Sequence, residues 1–145
     1  MKQLRRMPEK VTTAVNLLWV SLALGIVRGF LEFSNTVKSL SEQGISEIGY
    51  IIMIIVALAI FGFFIIMIGK GKNWARITYL VIFLVGVIFS VFSIFDAFSI
   101  SFISGILSIA QIVLPIISLV FLFDKSSSKW FNSYKNGQRT SKTNN

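Results

Sequence analysis

Four apolar blocks, each about as long as a lipid bilayer is thick, constrain this chain more than any other feature. They cover residues 11–31, 49–68, 77–95 and 103–123 and are separated by polar breaks, short except for the expected outer loop over residues 34–48, which is rich in Ser, Glu and Gln. A helix rises about 1.5 Å per residue, so about 20 residues cross the roughly 30 Å hydrocarbon layer. Helices are expected rather than strands, because backbone in lipid must satisfy its own hydrogen bonds and four such blocks cannot close a barrel. The expected fold is an all-α four-helix transmembrane bundle, up-down-up-down, followed by a basic cytoplasmic tail over residues 124–145.

Composition supports this expectation. Of the 145 residues 54% are hydrophobic and 14% charged, against about 45–50% and about 25% in soluble domains. The net charge of +8 has a topological origin rather than a nucleic-acid one, because the charges sit at the ends of the apolar blocks. Of the fourteen Lys and Arg residues, all but Arg28 and Lys38 fall in the N-terminal segment, the second connection or the tail. The positive-inside rule therefore puts both termini in the cytoplasm. On that side the basic residues would meet anionic lipid headgroups, and Trp74, Tyr79 and Trp130 lie near the same interface, with Tyr50 near the opposite one. A signal peptide is a weaker account of the first block, which ends in Arg28 without a small-x-small cleavage site.

Without cysteine or histidine, thiolate chemistry, imidazole bases and the usual zinc and haem ligands are excluded. No Asp or Glu falls in the middle third of a block, where proton-coupled transporters keep one. No nucleophile–base pair appears at membrane depth either. The expectation is a non-enzyme without cofactor or metal.

Arg28 is the most informative residue, because a charge within a membrane span is costly. Glu32 follows one turn later on the same face and Asp96 ends the third block at the same depth, so Arg28, Glu32 and Asp96 form a candidate outer ion-pair cluster. Arg28 could instead extend to the headgroups. The same face of the first block carries Gly25-x-x-x-Gly29, a spacing that lets helices approach closely. Gly86, Ser90, Ser93 and Ala97 repeat the device in the third block. In the fourth, Ser101, Ser104, Gly105, Ser108, Gln111 and Pro115 share a broad face. This face serves either close packing or a polar path through Ser108 and Gln111. Asn16 admits an interhelical hydrogen bond.

The tail mixes Trp130, Phe131 and Tyr134 with basic residues. It either lies along the inner leaflet or is a solvated tether, and its last ten residues read as disordered.

The second connection contains Asn73-Trp74-Ala75-Arg76. With Pro8-Glu-Lys-Val near the start and Lys129-Trp-Phe131 near the end, it resembles a group of small, uncharacterised bacterial four-helix membrane proteins that share an Asn-Trp-Ala-Arg motif in this connection. The resemblance implies a bacterial plasma membrane and carries no activity. Physically, Trp74 would anchor at the interface, Arg76 would hold lipid phosphates and Asn73 would cap the third helix.

Two functions remain in view. The first is contact with a membrane-protein partner, as an accessory subunit or an immunity-type protein. The second is a small oligomeric transporter or channel with its path past Gln111.

Overall fold

The computed structural model describes residues 6–133, apart from the side chains of Ser93 and Asp96. Four helices, α1 (Glu9–Glu42), α2 (Glu47–Gly69), α3 (Asn73–Ile100) and α4 (Phe102–Phe123), account for most of these residues. All four contain a stretch long and apolar enough to cross a membrane. A further helical segment over residues 125–133 packs on one end of the bundle.

The helix ends follow local chemistry. α1 and α2 close with Gly44 and Gly71 in the left-handed region, φ +82° and +73°. In both, the glycine and the residue after it bond back to the last turn: Gly44 and Ile45 to the Ser41 and Leu40 carbonyls, Gly71 and Lys72 to those of Ile68 and Met67. This pattern satisfies carbonyls that a helix end leaves open, and a side chain at either glycine would be strained. Ser46 caps α2 by accepting the Gly49 N–H at 3.1 Å. Ser101 alone separates α3 from α4, and its hydroxyl accepts from the Ile103 N–H at 3.2 Å.

Helix α1 continues from the end of its apolar block at Leu31 to Glu42. The segment expected to be an outer loop is thus largely helix. Nothing in residues 34–42 breaks a helix before Gly44, and a 34-residue helix is about 50 Å long, well beyond the hydrocarbon layer. α3 likewise runs past Phe95 to Ile100, because Ser101 is the first residue with extended backbone.

α4 packs most extensively on α1, then on α3, and of the pairs in substantial contact α2 and α3 pack least extensively. The buried core is gathered at one end. Val11, Ala14 and Leu18 of α1 meet Phe64, Ile65 and Ile68 of α2, Ala75 and Tyr79 of α3, and Leu119 and Leu122 of α4. Trp130 and Phe131 complete this core. Tyr79, expected at the interface, is inside it at 6% exposure. Outward-facing apolar residues such as Ile55, Ile88 and Val120 cover the rest, as expected for helices solvated by acyl chains.

Residues 125–133, read as either an inner-leaflet segment or a solvated tether, form a helix packed on the bundle end. Asp124 has extended backbone and accepts the Ser126 N–H on its carboxylate at 3.0 Å, an N-cap that starts the helix. Ser127, Trp130 and Phe131 lie one turn apart on one face, and all three are buried. The Lys10 ammonium, at the start of α1, reaches the Asp124 carboxylate at 3.0 Å. Tyr134 and the C-terminal residues expected to be disordered lie outside the described residues.

Candidate functional site

A partly open cavity of about 510 Å³ lies between the four helices. Its floor is the buried core, since Leu18, Ile65 and Tyr79 belong to both. Most of its wall is apolar, with Ile54, Leu58, Ile82 and Phe83 among the residues from α2 and α3. Among the described residues Arg28 is the only charged one in its lining, and Ser21, Ser90, Ser108, Gln111 and Tyr79 supply the other polar side chains.

Arg28 turns into the bundle. Its Nε–H donates to Glu32 Oε1 at 2.9 Å and its Nη1 donates to Gln111 Oε1 at 3.2 Å. Glu32 holds the guanidinium from one turn further along α1, whereas Gln111 ties it to α4. Helical side chains slant toward the helix N-terminus, which directs Arg28 back toward Gln111. Gly25 makes room for this contact: a Cβ there would lie 2.7 Å from Gln111 Nε2. Gly29 has nothing within 4 Å of such a Cβ, so only the first glycine of Gly25-x-x-x-Gly29 makes a close approach. The approach is to a side chain, not to another helix backbone.

The Arg28–Glu32 pair forms as the spacing suggests. The Asp96 side chain lies outside the described residues, and the interhelical partner of Arg28 is Gln111. Two residues assigned by sequence to separate features, an ion pair and a polar path, thus meet in one cluster.

Ser108 is 3% exposed and lines the cavity. Its hydroxyl donates to the Ser104 carbonyl at 2.8 Å, and Ser90 donates to the Gly86 carbonyl at 2.9 Å. These two donors serve their own helices, so Ser90 and Ser108 offer a ligand only lone pairs. Pro115 has no N–H to return to the Gln111 carbonyl. Gly86 has open space where a side chain would be, whereas Gly105 packs directly on the Phe98 ring. Asn16 is exposed on the outside of α1.

A second polar cluster closes the bundle end. Arg76 is 6% exposed, and its Nε–H donates to Asn73 Oδ1 at 2.7 Å. Its Nη1 reaches the Leu122 carbonyl at 2.8 Å and Ser128 Oγ at 3.2 Å. The guanidinium lies 4.9 Å from the Phe123 ring centre and 4.5 Å from that of Phe131. Arg76 is therefore directed inward, where it joins α3 to the end of α4 and to the terminal helix, and is not turned toward lipid phosphates. Lys72 occupies the N-cap position of α3 and makes no side-chain cap bond, so Asn73 positions Arg76 instead. Trp74 is half exposed beside Phe63 and Phe64.

The terminal helix could have been read from Asp124 followed by buried-type residues at 127, 130 and 131. The cavity had no such signal, because it depends on how the helices are arranged around it. No protein-family model, curated protein or solved structure matches the chain.

Proposed function

We propose that this chain is a non-enzymatic, multi-pass protein of a bacterial cytoplasmic membrane that binds a small, mainly apolar molecule inside its helix bundle. Its helices run up-down-up-down with both termini cytoplasmic, and its basic side meets anionic lipid headgroups. The distribution of Lys and Arg supports this orientation, and the Asn73-Trp74-Ala75-Arg76 resemblance supports the bacterial membrane.

The cavity is the observation that carries the binding function. Its 510 Å³ falls in the range of about 300–1,000 Å³ typical of small-molecule sites, as does an apolar wall with a few convergent polar groups. As the least extensively packed of the helix pairs in substantial contact, α2 and α3 are the proposed route by which a molecule dissolved in the bilayer enters. The closed floor favours binding over a continuous aqueous pore. Catalysis has little support, because the described residues of the cavity wall include neither a carboxylate nor a nucleophile–base pair.

Native mass spectrometry from bilayer nanodiscs tests this function. Wild type is expected to retain a small-molecule adduct that Gly86→Phe, which fills open cavity space, loses. Equal adduct occupancy in both proteins would contradict the proposal.

A second function, contact with a membrane-protein partner or another copy of the chain, draws on one observation. Phe89, Phe92 and Phe95 follow one another along the same side of α3 at 70%, 76% and 78% exposure. If this side is an interface, Phe92→Ala should reduce crosslinking to the partner while leaving the cavity adduct unchanged.

A further inference from the structure

We infer that the cavity selects an amphiphile with an oxyanion head, carboxylate or phosphate, which binds Arg28 while its apolar body fills the space above the core. This inference rests on the proposal that the cavity is a binding site and names the ligand class that fits it.

An arginine near the end of a membrane span ordinarily extends toward the headgroups. Arg28 does the opposite, held inward by Gln111 on α4 at 3.2 Å. Gly25 leaves room for the contact, because a Cβ there would lie 2.7 Å from Gln111 Nε2 and require the amide to shift. A guanidinium has five N–H donors in a planar fork. One binds Glu32 and one binds Gln111, which leaves three for a ligand.

Charge balance favours an anion. Glu32 offsets the charge of Arg28 but does not line the cavity, and no other carboxylate does so among the described residues. A ligand inside therefore meets the cation and not its counter-ion. The hydroxyls of Ser90 and Ser108 donate to their own helices, and Arg28 is the one charged donor among the described lining residues. Two oxygens of a carboxylate or phosphate match adjacent guanidinium N–H groups.

The polarity is also graded along the cavity. Arg28 and Gln111 lie on the side away from the core, while Leu18, Ile65 and Tyr79 form the floor. A molecule with one charged end and an apolar body satisfies both ends. A neutral hydrocarbon leaves the three remaining donors of Arg28 without a ligand partner, and a small hydrophilic anion leaves the apolar wall without one.

The test compares hexadecanoate, hexadecyl phosphate and hexadecanol at alkaline pH, using the full chain in nanodiscs of neutral lipid. Uptake by protein-free discs is subtracted. Wild type is expected to bind at least one of the two anions about 10- to 100-fold more tightly than the alcohol, the range of a charge-assisted hydrogen bond. The two anions together show which head is preferred. Arg28→Gln is expected to abolish that preference while retaining hexadecanol binding, which also shows that the variant is folded. Equal binding of all three probes by wild type, or an unchanged preference in Arg28→Gln, would overturn the inference and leave the cavity as a neutral binding site. No uptake of any probe by wild type would overturn both proposals.

Discussion

Arg28 of α1 donates from Nη1 to the side-chain oxygen of Gln111 in α4, 3.2 Å away, linking the two helices that pack most extensively. The bond draws a cation inward at the head of an apolar cavity.

Replacing Gln111 with Leu removes the interhelical bond and leaves Arg28 held by Glu32 alone. Interhelical side-chain hydrogen bonds in membranes average about 0.6 kcal/mol and reach about 1.7. Because one partner is charged, Gln111→Leu should fall toward the upper end. Thermal unfolding in mild detergent should show a lower midpoint, with Glu32→Gln lowering it further because it leaves the guanidinium without its carboxylate.

The two glycines of α1 should respond in opposite directions. Gly25→Ala places a methyl 2.7 Å from Gln111 Nε2 and must push the amide away from Arg28. Gly29→Ala meets nothing within 4 Å and gains the helix propensity of alanine, up to about 1 kcal/mol. Melting curves should therefore show Gly25→Ala destabilised and Gly29→Ala unchanged or stabilised. If both variants were destabilised equally, the glycines would share a backbone-packing role instead.

This contrast marks what could be read from the chain. Four spans were legible because bilayer thickness dictates their length, and Arg28, Glu32, Ser108 and Gln111 each stood out as polar groups in apolar surroundings. The pairing of Arg28 with Gln111 was not legible, because residues on different helices have no fixed depth or azimuth relative to one another in sequence. The outer extension of α1 did carry a signal, Phe33, Val37 and Leu40 at helical spacing, but the polar residues between them, such as Ser34, Lys38 and Ser41, give the segment the look of a loop. Arg76 illustrates the reverse error, since an interfacial motif suggests lipid phosphates, whereas its bonds run to the Leu122 carbonyl and Ser128.

Arg76→Ala should release the terminal helix. It removes a charge-assisted bond to the Leu122 carbonyl at 2.8 Å and the contacts with the Phe123 and Phe131 rings. The expected cost is about 2–4 kcal/mol. Limited proteolysis should then cleave faster after Lys125 and Lys129 than in wild type. Arg76→Lys should be intermediate, since it keeps the charge but not the fork. Unchanged cleavage in Arg76→Ala would mean that Trp130 and Phe131 alone hold the helix.

The joint between α4 and the terminal helix should also be acid-sensitive. The Ser126 hydroxyl, first, and then Lys10 and the Ser126 N–H hold the Asp124 carboxyl well below the usual carboxylate range. A carboxyl lowered in the folded state contributes stability in full above its unfolded pKa of about 4 and loses it as pH falls toward the folded value. Wild type should thus be more stable than Asp124→Asn at neutral pH, and the difference should shrink steadily below about pH 4. A difference that stayed constant on acidification would place the effect in helix capping rather than in the charge.

Photolabelling tests the central claim most directly, using a neutral alkyl diazirine dissolved in the bilayer followed by peptide mapping of the full chain. If the cavity takes up small molecules from the membrane, adducts should concentrate on its lining, at Ile54, Phe83 and Gln111, and an excess of unlabelled ligand should suppress them. Adducts confined to outward-facing residues such as Ile88, Phe92 and Ile116, with none on the lining, would contradict the account and leave the surface of α3 as the functional feature.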